Sequence, residues 1–331
     1  MKLLLVGDDR DLSAAYVGWL ARARGAETVV LAEDRFGLDW WFETDELSRP
    51  HELVFAEEAS IAVEEIGGVF VRLNPNPAVP SHLDHLTDVI PIFVAERRYG
   101  LHYLLDHIDV PVVNRPSSGR SNGSKPFQMD ALQRFGFRVP DWIVSNDASA
   151  VASFAQGWRE GAIYKSPSGL RSHVKRVDEV LLQRLGNSTS PVLVQRFIPG
   201  HDVRLHVVGS RCFATAIRSP AVDYRFEPDS TVYEGIQAPP EIEEACRAFT
   251  KLDGLALSGF DFRVDLDGNW LCLEMNPVPT FLPYEAATGR RIGDAVLDLC
   301  GVPPLCHDRI SPLTAAAQEA QPASFDGAVM A

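Results

Sequence analysis

The segment SGFDFRVDLDGNWLCLEMNP, residues 258–277, constrains the fold of this chain more than any other part of the sequence. Asp267-Gly268 near its centre is a strong hairpin signal, because a two-residue type I′ turn needs two positive φ angles and these residue types tolerate them. With these two residues as the loop, Asp261 lies directly opposite Glu274. The segment therefore predicts two antiparallel strands joined by a tight turn.

The predicted hairpin separates apolar from polar side chains, because successive residues of a strand point to opposite faces. Opposed residues have Cβ atoms about 4.5–5.5 Å apart, so Asp261, Glu274 and Asn276 bring two carboxylates and an amide oxygen together. Such hard oxygen ligands suit Mg²⁺. The alternative is a solvated polar face on which Arg263 neutralises both acids. The predicted core face consists of Phe260, Phe262, Val264, Leu266, Leu271, Leu273 and Met275, and the polar face consists of Asp261, Arg263, Asp265, Trp270, Cys272, Glu274 and Asn276.

Length, charge and hydropathy narrow the class of protein. The 331 residues exceed the usual size of one domain, and they carry a formal net charge of −14. Nucleic acids bind through Lys and Arg, so we expect no nucleic-acid partner. No run approaches the roughly 20 apolar residues that a membrane helix needs, and the start turns acidic too early for a signal peptide. Five scattered cysteines without a C-x-x-C pair indicate reduced thiols and a cytoplasmic protein.

The first third of the chain alternates strand-like and helix-like patterns, which predicts an α/β unit with a parallel sheet. No G-x-G-x-x-G motif follows the first strand, so the sequence does not support a dinucleotide site. The end of the chain, 306–331, is rich in Ala, Gln and Ser and is predicted to be a disordered tail. The predicted strands are Lys2–Val6, Thr28–Leu31, Val69–Leu73, Val110–Val113, Gly161–Lys165, Pro191–Phe197, Arg204–Val208 and Cys212–Ile217, and the predicted helices are Leu12–Arg24, Asp88–His107, Phe127–Phe135, Val177–Leu185 and Pro240–Leu252.

Five segments in a fixed order resemble the ATP-grasp ligases. Lys125 opens a helix, Lys165 closes a strand, VLVQRFIPG resembles the interdomain hinge, and HDVRLHVVG resembles the strand that follows it. The hairpin supplies the fifth segment, because its D-x(12)-E-x-N pattern resembles the metal-binding signature of these enzymes. VPDWIVSND and VFVRLNPNP bring the chain nearest to the branch that contains ribosomal-protein glutamate ligases and microviridin-type peptide-maturation ligases.

The resemblance implies a role for each matched residue. Lys125 and Lys165 would hold the ATP phosphates as point charges, and Gly169 would allow close backbone approach in a loop, 166–173, that covers them. The alternative roles, a turn-forming Asp202 and ion pairs for the arginines, stay open. The implied assignments are Gln195, Arg196, Phe197 and Ile198 at adenine, Asp202 at ribose, Asp261, Glu274 and Asn276 on Mg²⁺ (or Mn²⁺), and Arg204, Arg218 and Arg225 as catalytic candidates that clamp phosphate.

The implied fold is an α/β fold of the ATP-grasp type with three domains. An N-terminal α/β parallel-sheet domain, 1–115, precedes a small central lid domain, 116–195, and a C-terminal antiparallel-sheet domain, 196–305, with ATP between the last two. The implied substrate-binding candidates are Arg72, Arg97, Arg98 and Arg115 for carboxylates, with Thr280, Tyr284 and Glu285 beside the metal motif.

The implied activity is an ATP-dependent carboxylate–amine ligase that forms an amide, or an ester, through an acylphosphate. Its substrates would be an amino acid or peptide with a carboxylate and an amine acceptor, as in peptide modification or natural-product biosynthesis, and we expect a homodimer. Two alternatives stay open. A small-molecule kinase on the same scaffold would stop after phosphoryl transfer, and a non-catalytic module would bind the nucleotide only.

Overall fold

The computed structural model describes residues 1–8, 10–57, 59–74, 90–169, 173–185 and 190–304. The predicted tail, 306–331, and the first two residues of the predicted helix Asp88–His107 lie outside the described residues. Within the described ranges the chain forms four β-sheets, and strands and helices are numbered below in chain order. None of the helices in these ranges is long and apolar enough to cross a membrane.

The first sheet is parallel, which confirms the prediction of an α/β unit. Its strands lie in the order β2 (Glu27–Ala32), β1 (Lys2–Gly7), β6 (Ile66–Arg72), β7 (Val112–Val113). Helix α1 (Leu12–Ala23) connects β1 to β2, and α2 (Ile90–His107) lies between β6 and β7 in the chain. Alternate residues of β1 belong to two different apolar clusters, so both faces of the sheet are covered.

A small antiparallel sheet, β3 (Trp40–Thr44), β4 (Pro50–Phe55) and β5 (Ser60–Ala62), packs beside the first one and is absent from the sequence-based prediction. Trp40 and Leu53 are buried in the same cluster as Leu104 of α2. The Asp45 carboxylate accepts the N–H groups of Leu47 and Arg49 and closes the β3–β4 turn. These strands are short and half exposed, so their alternation of apolar and polar residues is too weak to predict them from the sequence.

The third sheet is antiparallel, with the order β10 (Lys175–Arg176), β9 (Ala162–Lys165), β11 (Val192–Arg196), β8 (Trp142–Ser145). Helices α4 (Ala148–Gln156) and α5 (Glu179–Leu185) share an apolar cluster with one of its faces. Helix α3 (Lys125–Phe135) begins after Ser124, whose hydroxyl caps it, and ends at Gly136, where φ is +106°. The helix therefore begins two residues before the predicted Phe127.

The fourth sheet holds five antiparallel strands in the order β14 (Val232–Ile236), β13 (Arg211–Arg218), β12 (Gly200–Val208), β15 (Leu257–Asp265), β16 (Trp270–Asn276). One face packs on α6 (Pro240–Leu252) through a cluster that contains Phe137, Phe249 and Phe260. One end of the opposite face joins the cluster of α7 (Leu282–Thr288), α8 (Ile292–Leu299) and α1. The remainder of that face carries the polar residues of the hairpin.

The hairpin forms between β15 and β16, but its turn is wider than predicted. The Asp265 N–H donates to the Asn269 carbonyl at 3.0 Å and the Gly268 N–H donates to the Asp265 carbonyl at 3.1 Å, so the loop spans 266–269. Gly268 has a φ of +84°, whereas Asp267 does not have a positive φ, so the type I′ turn is wrong. The Asp265 side chain explains the wider loop, because it accepts the N–H groups of Asp267 and Asn269.

A β-bulge at Leu273 changes the predicted faces of the hairpin. Asp261 pairs with Glu274 as predicted, but Phe262 pairs with Cys272, so Leu273 is an extra residue on β16. Cys272 is therefore buried in the core, and the Trp270 ring contacts the Phe262 ring at 5.3 Å between centroids. The predicted positions of four residues are wrong: Leu266, which is exposed, Leu271, Trp270 and Cys272.

Buried polar contacts join the first sheet to the C-terminal half of the chain. The Asn114 side chain accepts the N–H groups of Ala256 and Leu257 and donates to the carbonyls of Leu257 and Pro277 at 2.7 and 2.6 Å. Arg24, which directly follows α1, pairs with Asp294 and Asp298 of α8 at 2.6 and 2.8 Å. The N-terminal unit is therefore fixed beside the end of β16.

Candidate active site

Four polar residues form a row across the five-stranded sheet. Glu274 pairs with Asp261, Asp261 pairs with Arg204, and Arg204 pairs with Thr215. Directly paired residues point to the same face of a sheet, so the row lies on the face opposite α6. Antiparallel pairing thus brings together residues that are 59 positions apart in the sequence, from Thr215 to Glu274.

The two acids of the row differ in pKa. The Asn276 Nδ2 atom donates to Asp261 Oδ2 at 3.1 Å and to Glu274 Oε1 at 3.4 Å. Burial raises the pKa of Asp261 despite its 2.9 Å contact with Arg204. Burial acts on Glu274 in the same direction, but the charges of Lys165, Lys125 and Arg204 outweigh it and lower the pKa of Glu274. Glu274 is therefore the stronger acid of the pair.

The donor chemistry of this pair fits a magnesium ion. Two carboxylates and one amide supply hard oxygen ligands, and a set this small leaves positions for water and for phosphate oxygens. A divalent cation would also favour the ionised form of Asp261, whose pKa is raised by burial. Asn276 presents its nitrogen to both acids, so coordination through Asn276 requires its amide to turn over.

Arg204 and Thr215 offer further hydrogen bonds at the site. Both side chains are buried, and neither the Arg204 Nε atom nor the Thr215 hydroxyl has a hydrogen-bond partner among the described residues. Buried polar groups are normally paired. Two neighbouring donors without an acceptor are therefore suited to the oxygen of a phosphate or a carboxylate.

The two predicted phosphate lysines lie close to the acid pair. Lys125 and Lys165 are both buried, and Lys125 Nζ donates to the Ser168 carbonyl. Burial lowers the pKa of Lys125, the charges of Lys165 and Arg225 act in the same direction, and Glu274 opposes them. Buried ammonium groups need anionic partners, and the two lysines and Arg204 place three cations beside the two acids Asp261 and Glu274.

Gly169 lies where two backbone segments touch. Its N–H donates to the Gly123 carbonyl at 3.2 Å, and a Cβ atom at this position would lie 2.3 Å from the Asn122 carbonyl oxygen. Glycine is therefore required for this close contact, while the predicted approach of Gly169 to the phosphates stays a prediction. The approaching group is the segment before α3. Of the predicted loop 166–173, residues 170–172 lie outside the described residues.

The four residues predicted to meet adenine have different surroundings. Gln195 is buried beside Met129 of α3, and its Oε1 atom has no hydrogen-bond partner in the described part of the chain. Ile198 is buried as well, but its carbonyl already accepts from Arg263 Nε at 2.9 Å. Gln195 therefore keeps a polar atom for a ligand, while the Ile198 carbonyl is engaged.

Arg196 and Phe197 use their side chains in cation–π contacts. The Arg196 guanidinium lies 4.4 Å from the centroid of the Trp158 ring, and the Arg176 guanidinium lies 3.3 Å from that of Phe197. The N–H of Arg196 donates to the Asp141 carbonyl. These contacts lie at the link between the third sheet and the five-stranded sheet. They place the Arg196 side chain on Trp158 and not at the acid pair.

Asp202 and Arg263 form an ion pair, at 3.1 Å between Oδ2 and NH1. The sequence left open that Arg263 neutralises Asp261 and Glu274, but Arg204 contacts Asp261 and Arg263 pairs with Asp202 instead. Burial raises the pKa of Asp202, and the charge of Arg263 opposes this effect. Asp202 is therefore held by a cation on the site face, beside the hinge.

The three arginines predicted as catalytic lie in different places. Arg204 is in the central row, and Arg225 lies close enough to the site for its charge to act on Asp261 and Lys125. Arg218 ends β13 on the opposite face of the sheet, where its guanidinium is 3.7 Å from the Glu234 carboxylate. The structure thus brings Arg204 and Arg225 to the acid pair and does not bring Arg218 there.

The N-terminal arginines that the sequence suggested for substrate carboxylates all have structural partners. Arg72 binds Asp11 and the carbonyls of Val278 and Pro279. The other three donate to backbone carbonyls: Arg97 to Phe36 and Asp34, Arg98 to Asn74, and Arg115 to Leu105, Ile108 and Val110.

The three candidates beside the metal motif also contact protein groups. The Thr280 carbonyl accepts from His206, and Glu285 is buried, where it accepts from Tyr16 and from the Gly293 N–H. Tyr284 lies 2.8 Å from the Tyr224 hydroxyl, and its ring is 5.7 Å from the Arg204 guanidinium. Of these three residues, Tyr284 therefore contacts the row of polar residues, through Arg204.

Gln128 is a site residue that the sequence did not indicate. Its buried amide donates to the Met275 carbonyl at 2.8 Å and accepts the Met275 N–H at 2.9 Å. Met275 lies between the two predicted metal ligands Glu274 and Asn276, on the outer edge of β16. Gln128 therefore fixes the backbone of both ligands from α3. A lone Gln in a helix carries no sequence signal for such a role.

Solved structures share this fold over nearly the whole chain, although no protein-family model and no curated protein matches the sequence. The ATP-grasp ligase PsnB, solved with a minimal precursor, Mg and ADP, is 25% identical over 90% of this chain and 97% of that chain, with a TM-score of 0.72. A RiPP-associated ATP-grasp ligase from Chryseobacterium gregarium, in complex with ADP and a leader and core peptide, is 21% identical over 92% and 97%, with a TM-score of 0.77.

The macrocyclase MdnC from Microcystis aeruginosa MRC, bound with the precursor peptide MdnA, is 21% identical over 91% of this chain and 99% of that chain, with a TM-score of 0.76. These likenesses agree with the resemblance that the ordered segments indicated. The chain has the mixed α/β architecture of the ATP-grasp ligases.

Proposed function

We propose that this protein is an ATP-dependent ligase that activates a peptide carboxylate as an acylphosphate and joins it to an amine. The observation that carries the proposal is the row of Glu274, Asp261 and Arg204 facing the buried Lys125 and Lys165. The similarity to ligases solved with precursor peptides supports a peptide substrate.

Each part of the site has a task in this reaction. Asp261, Glu274 and Asn276 would hold Mg²⁺, which offsets charge on the phosphates when it is bound. Lys125 and Lys165 bind and orient the polyphosphate, and Arg204 stabilises the charge that develops as the γ-phosphoryl group moves to the carboxylate. The amine then attacks the acyl carbon and phosphate leaves, so the chemistry requires no protein nucleophile.

The test combines ADP release with trapping of the activated carboxylate. Purified protein is incubated with Mg²⁺, ATP, hydroxylamine and a library of short peptides that contain Asp, Glu and Lys. We expect ADP and a peptide hydroxamate from wild type. Glu274→Gln should lower both by about 100-fold or more, because the loss of a charged ligand weakens stabilisation of the transferring group.

The matched control is Glu244→Gln, which changes an exposed glutamate of α6 and should leave both products unchanged. Circular dichroism of both variants confirms that they are folded. ADP without hydroxamate would indicate the kinase alternative, and nucleotide binding without ADP would indicate the non-catalytic module. Equal turnover in wild type and Glu274→Gln would contradict the assignment of the acid pair.

The assembly and location of the protein are separate proposals. We propose a homodimer, which light scattering during gel filtration measures directly. We also propose a cytoplasmic protein, because the described cysteines Cys212, Cys246, Cys272 and Cys300 are free thiols.

A further inference from the structure

Strand β16 carries two of the three predicted metal ligands, and its pairing is irregular beside one of them. Glu274 directly follows the bulge at Leu273, where the pairing with β15 shifts by one residue. A bulge leaves its extra residue unpaired and disrupts the ladder locally. Among the described strands, β16 is the last of the five-stranded sheet, so β15 is its one strand partner. Strand pairing therefore holds Glu274 from one side, next to an interruption.

Helix α3 and the segment after it contact the other side of β16, where a sixth strand would lie. The Gln128 amide donates to the Met275 carbonyl at 2.8 Å and accepts the Met275 N–H at 2.9 Å. These are the two bonds that a residue of an antiparallel neighbour would exchange with Met275. On the far side of the bulge, the Cys272 N–H donates to the Arg138 carbonyl at 2.8 Å. The outer edge of β16 is thus held on both sides of Leu273.

Two further contacts fix the orientation of the Gln128 amide. Its Nε2 atom also donates to Ser121 Oγ at 3.2 Å, and the Ser121 hydroxyl donates to Asp253 Oδ2 at 2.9 Å. A hydroxyl that gives its proton to a carboxylate has only acceptor capacity left for Gln128. The contact therefore determines which end of the amide carries the NH₂ group, and this orientation is the one that serves both backbone groups of Met275. Gln128 and Ser121 are both buried.

The backbone of Met275 determines where two ligand side chains begin, because Glu274 precedes it and Asn276 follows it. Its own side chain is fully buried in the core cluster that contains Phe249. Mg²⁺ requires near-ideal octahedral geometry with oxygens at about 2.0–2.1 Å, so small displacements of its ligands weaken binding. Resting on the proposed function, we propose that Gln128 is a positioning residue that sets the Mg²⁺ affinity of the site by fixing the backbone between Glu274 and Asn276.

The test separates the contribution of the metal from that of the nucleotide. Isothermal titration calorimetry measures the Kd of AMPPNP in Mg²⁺ and in EDTA for wild type, Gln128→Met and Ser121→Ala, and the ratio of the two Kd values reports the contribution of the metal. Gln128→Met should reduce this ratio about 10-fold and leave the Kd in EDTA within about 2-fold, because methionine has a similar size but makes neither bond to Met275. Ser121→Ala should reduce the ratio about 2- to 3-fold, because it releases the amide but keeps both bonds.

Gln133→Met is the matched control, because it makes the same change at an exposed position of α3. It should change neither Kd. Equal weakening by Gln128→Met in Mg²⁺ and in EDTA would mean that Gln128 supports only α3 and its Lys125. That result, or an unchanged ratio, would overturn the positioning role and leave the proposed function intact.

Circular dichroism establishes whether each variant is folded. If Gln128→Met does not fold, Ser121→Ala decides, and an unchanged ratio in that variant overturns the positioning role. Wild type that binds AMPPNP equally well in Mg²⁺ and in EDTA would instead overturn the metal assignment of the proposed function, and the inference with it.

Discussion

At the scale of single residues, His206 shows how the site controls protonation. It lies two residues from Arg204 on β12, is fully buried, and its Nε2 atom donates to the Thr280 carbonyl at 3.1 Å. Nδ1 has no hydrogen-bond partner among the described residues. Burial, with the charge of Arg204 acting in the same direction, lowers the pKa of His206 from 6.5 to about 3. The folded protein therefore keeps this imidazole neutral.

The buried imidazole predicts a loss of stability in acid. His206 takes up a proton near pH 6.5 in the unfolded chain and near pH 3 in the folded chain. The contribution of the neutral imidazole to the free energy of unfolding is therefore complete above pH 6.5 and decreases as the pH falls toward 3. The loss from this group is about 1.4 kcal/mol per pH unit in that window. His206→Gln keeps an N–H donor and does not titrate, so urea unfolding at pH 7.5 and 5.5 should show a flatter dependence. Identical pH dependence in both proteins would contradict this prediction.

Gly169 supports a second prediction at this scale. A methyl group there meets the Asn122 carbonyl, which belongs to backbone and cannot rotate away, so Gly169→Ala must shift the loop or the start of α3. We expect AMPPNP affinity to fall about 10-fold, because overpacking costs about 1–3 kcal/mol. Gly123→Ala is the matched control, since its Cβ meets no atom within 4 Å. Calorimetry that shows the same Kd for Gly169→Ala as for wild type would refute the prediction.

At the scale of elements, features set by the local sequence could be predicted, and features set by tertiary packing could not. The opposition of Asp261 and Glu274 followed from strand alternation and a turn signal, and the structure has this pair. The bulge at Leu273 could not be predicted, because Leu271 and Leu273 are as apolar as Trp270 and Cys272, so the sequence does not show which pair faces the core. Arg204 as the partner of Asp261 also escaped prediction, because strand order within the sheet is a tertiary property. Gln128 did so for the same reason.

The α1–α8 contact yields a prediction about element packing. Arg24 is 8% exposed and bridges Asp294 and Asp298, which keep Arg291 and Arg211 as partners, so removing it costs the charged hydrogen bonds between α1 and α8. Arg24→Ala should lower the free energy of unfolding by about 2 kcal/mol, with Arg24→Lys intermediate because it keeps the charge but loses the fork. Arg22→Ala, an exposed change on the same helix, should cost less than about 0.5 kcal/mol. Guanidinium unfolding curves that do not distinguish Arg24→Ala from Arg22→Ala would rule out this role.

At the scale of the whole molecule, the charge around the site is opposite in sign to the net charge of the chain. The chain carries a net charge of −14, yet three cations, Lys125, Lys165 and Arg204, are buried beside the two acids Asp261 and Glu274. An acidic exterior repels polyanions such as nucleic acids, while the positive interior accepts one small anion that carries its own divalent cation. This distribution, which a count of residues cannot reveal, supports the proposal of a nucleotide-dependent ligase.

The polar clamp around Asn114 has a consequence for recombination between relatives. Asn114 and Arg72 hold the backbone at Pro277, Val278 and Pro279, directly after Asn276, although more than 160 positions separate each from that tripeptide. A chimera that joined the first 115 residues of one protein to the remainder of another would cut through this contact. Functional chimeras should therefore take both sides of this contact from one parent. The N-terminal sheet should then be inherited together with the acid pair, although it contributes no residue to that pair.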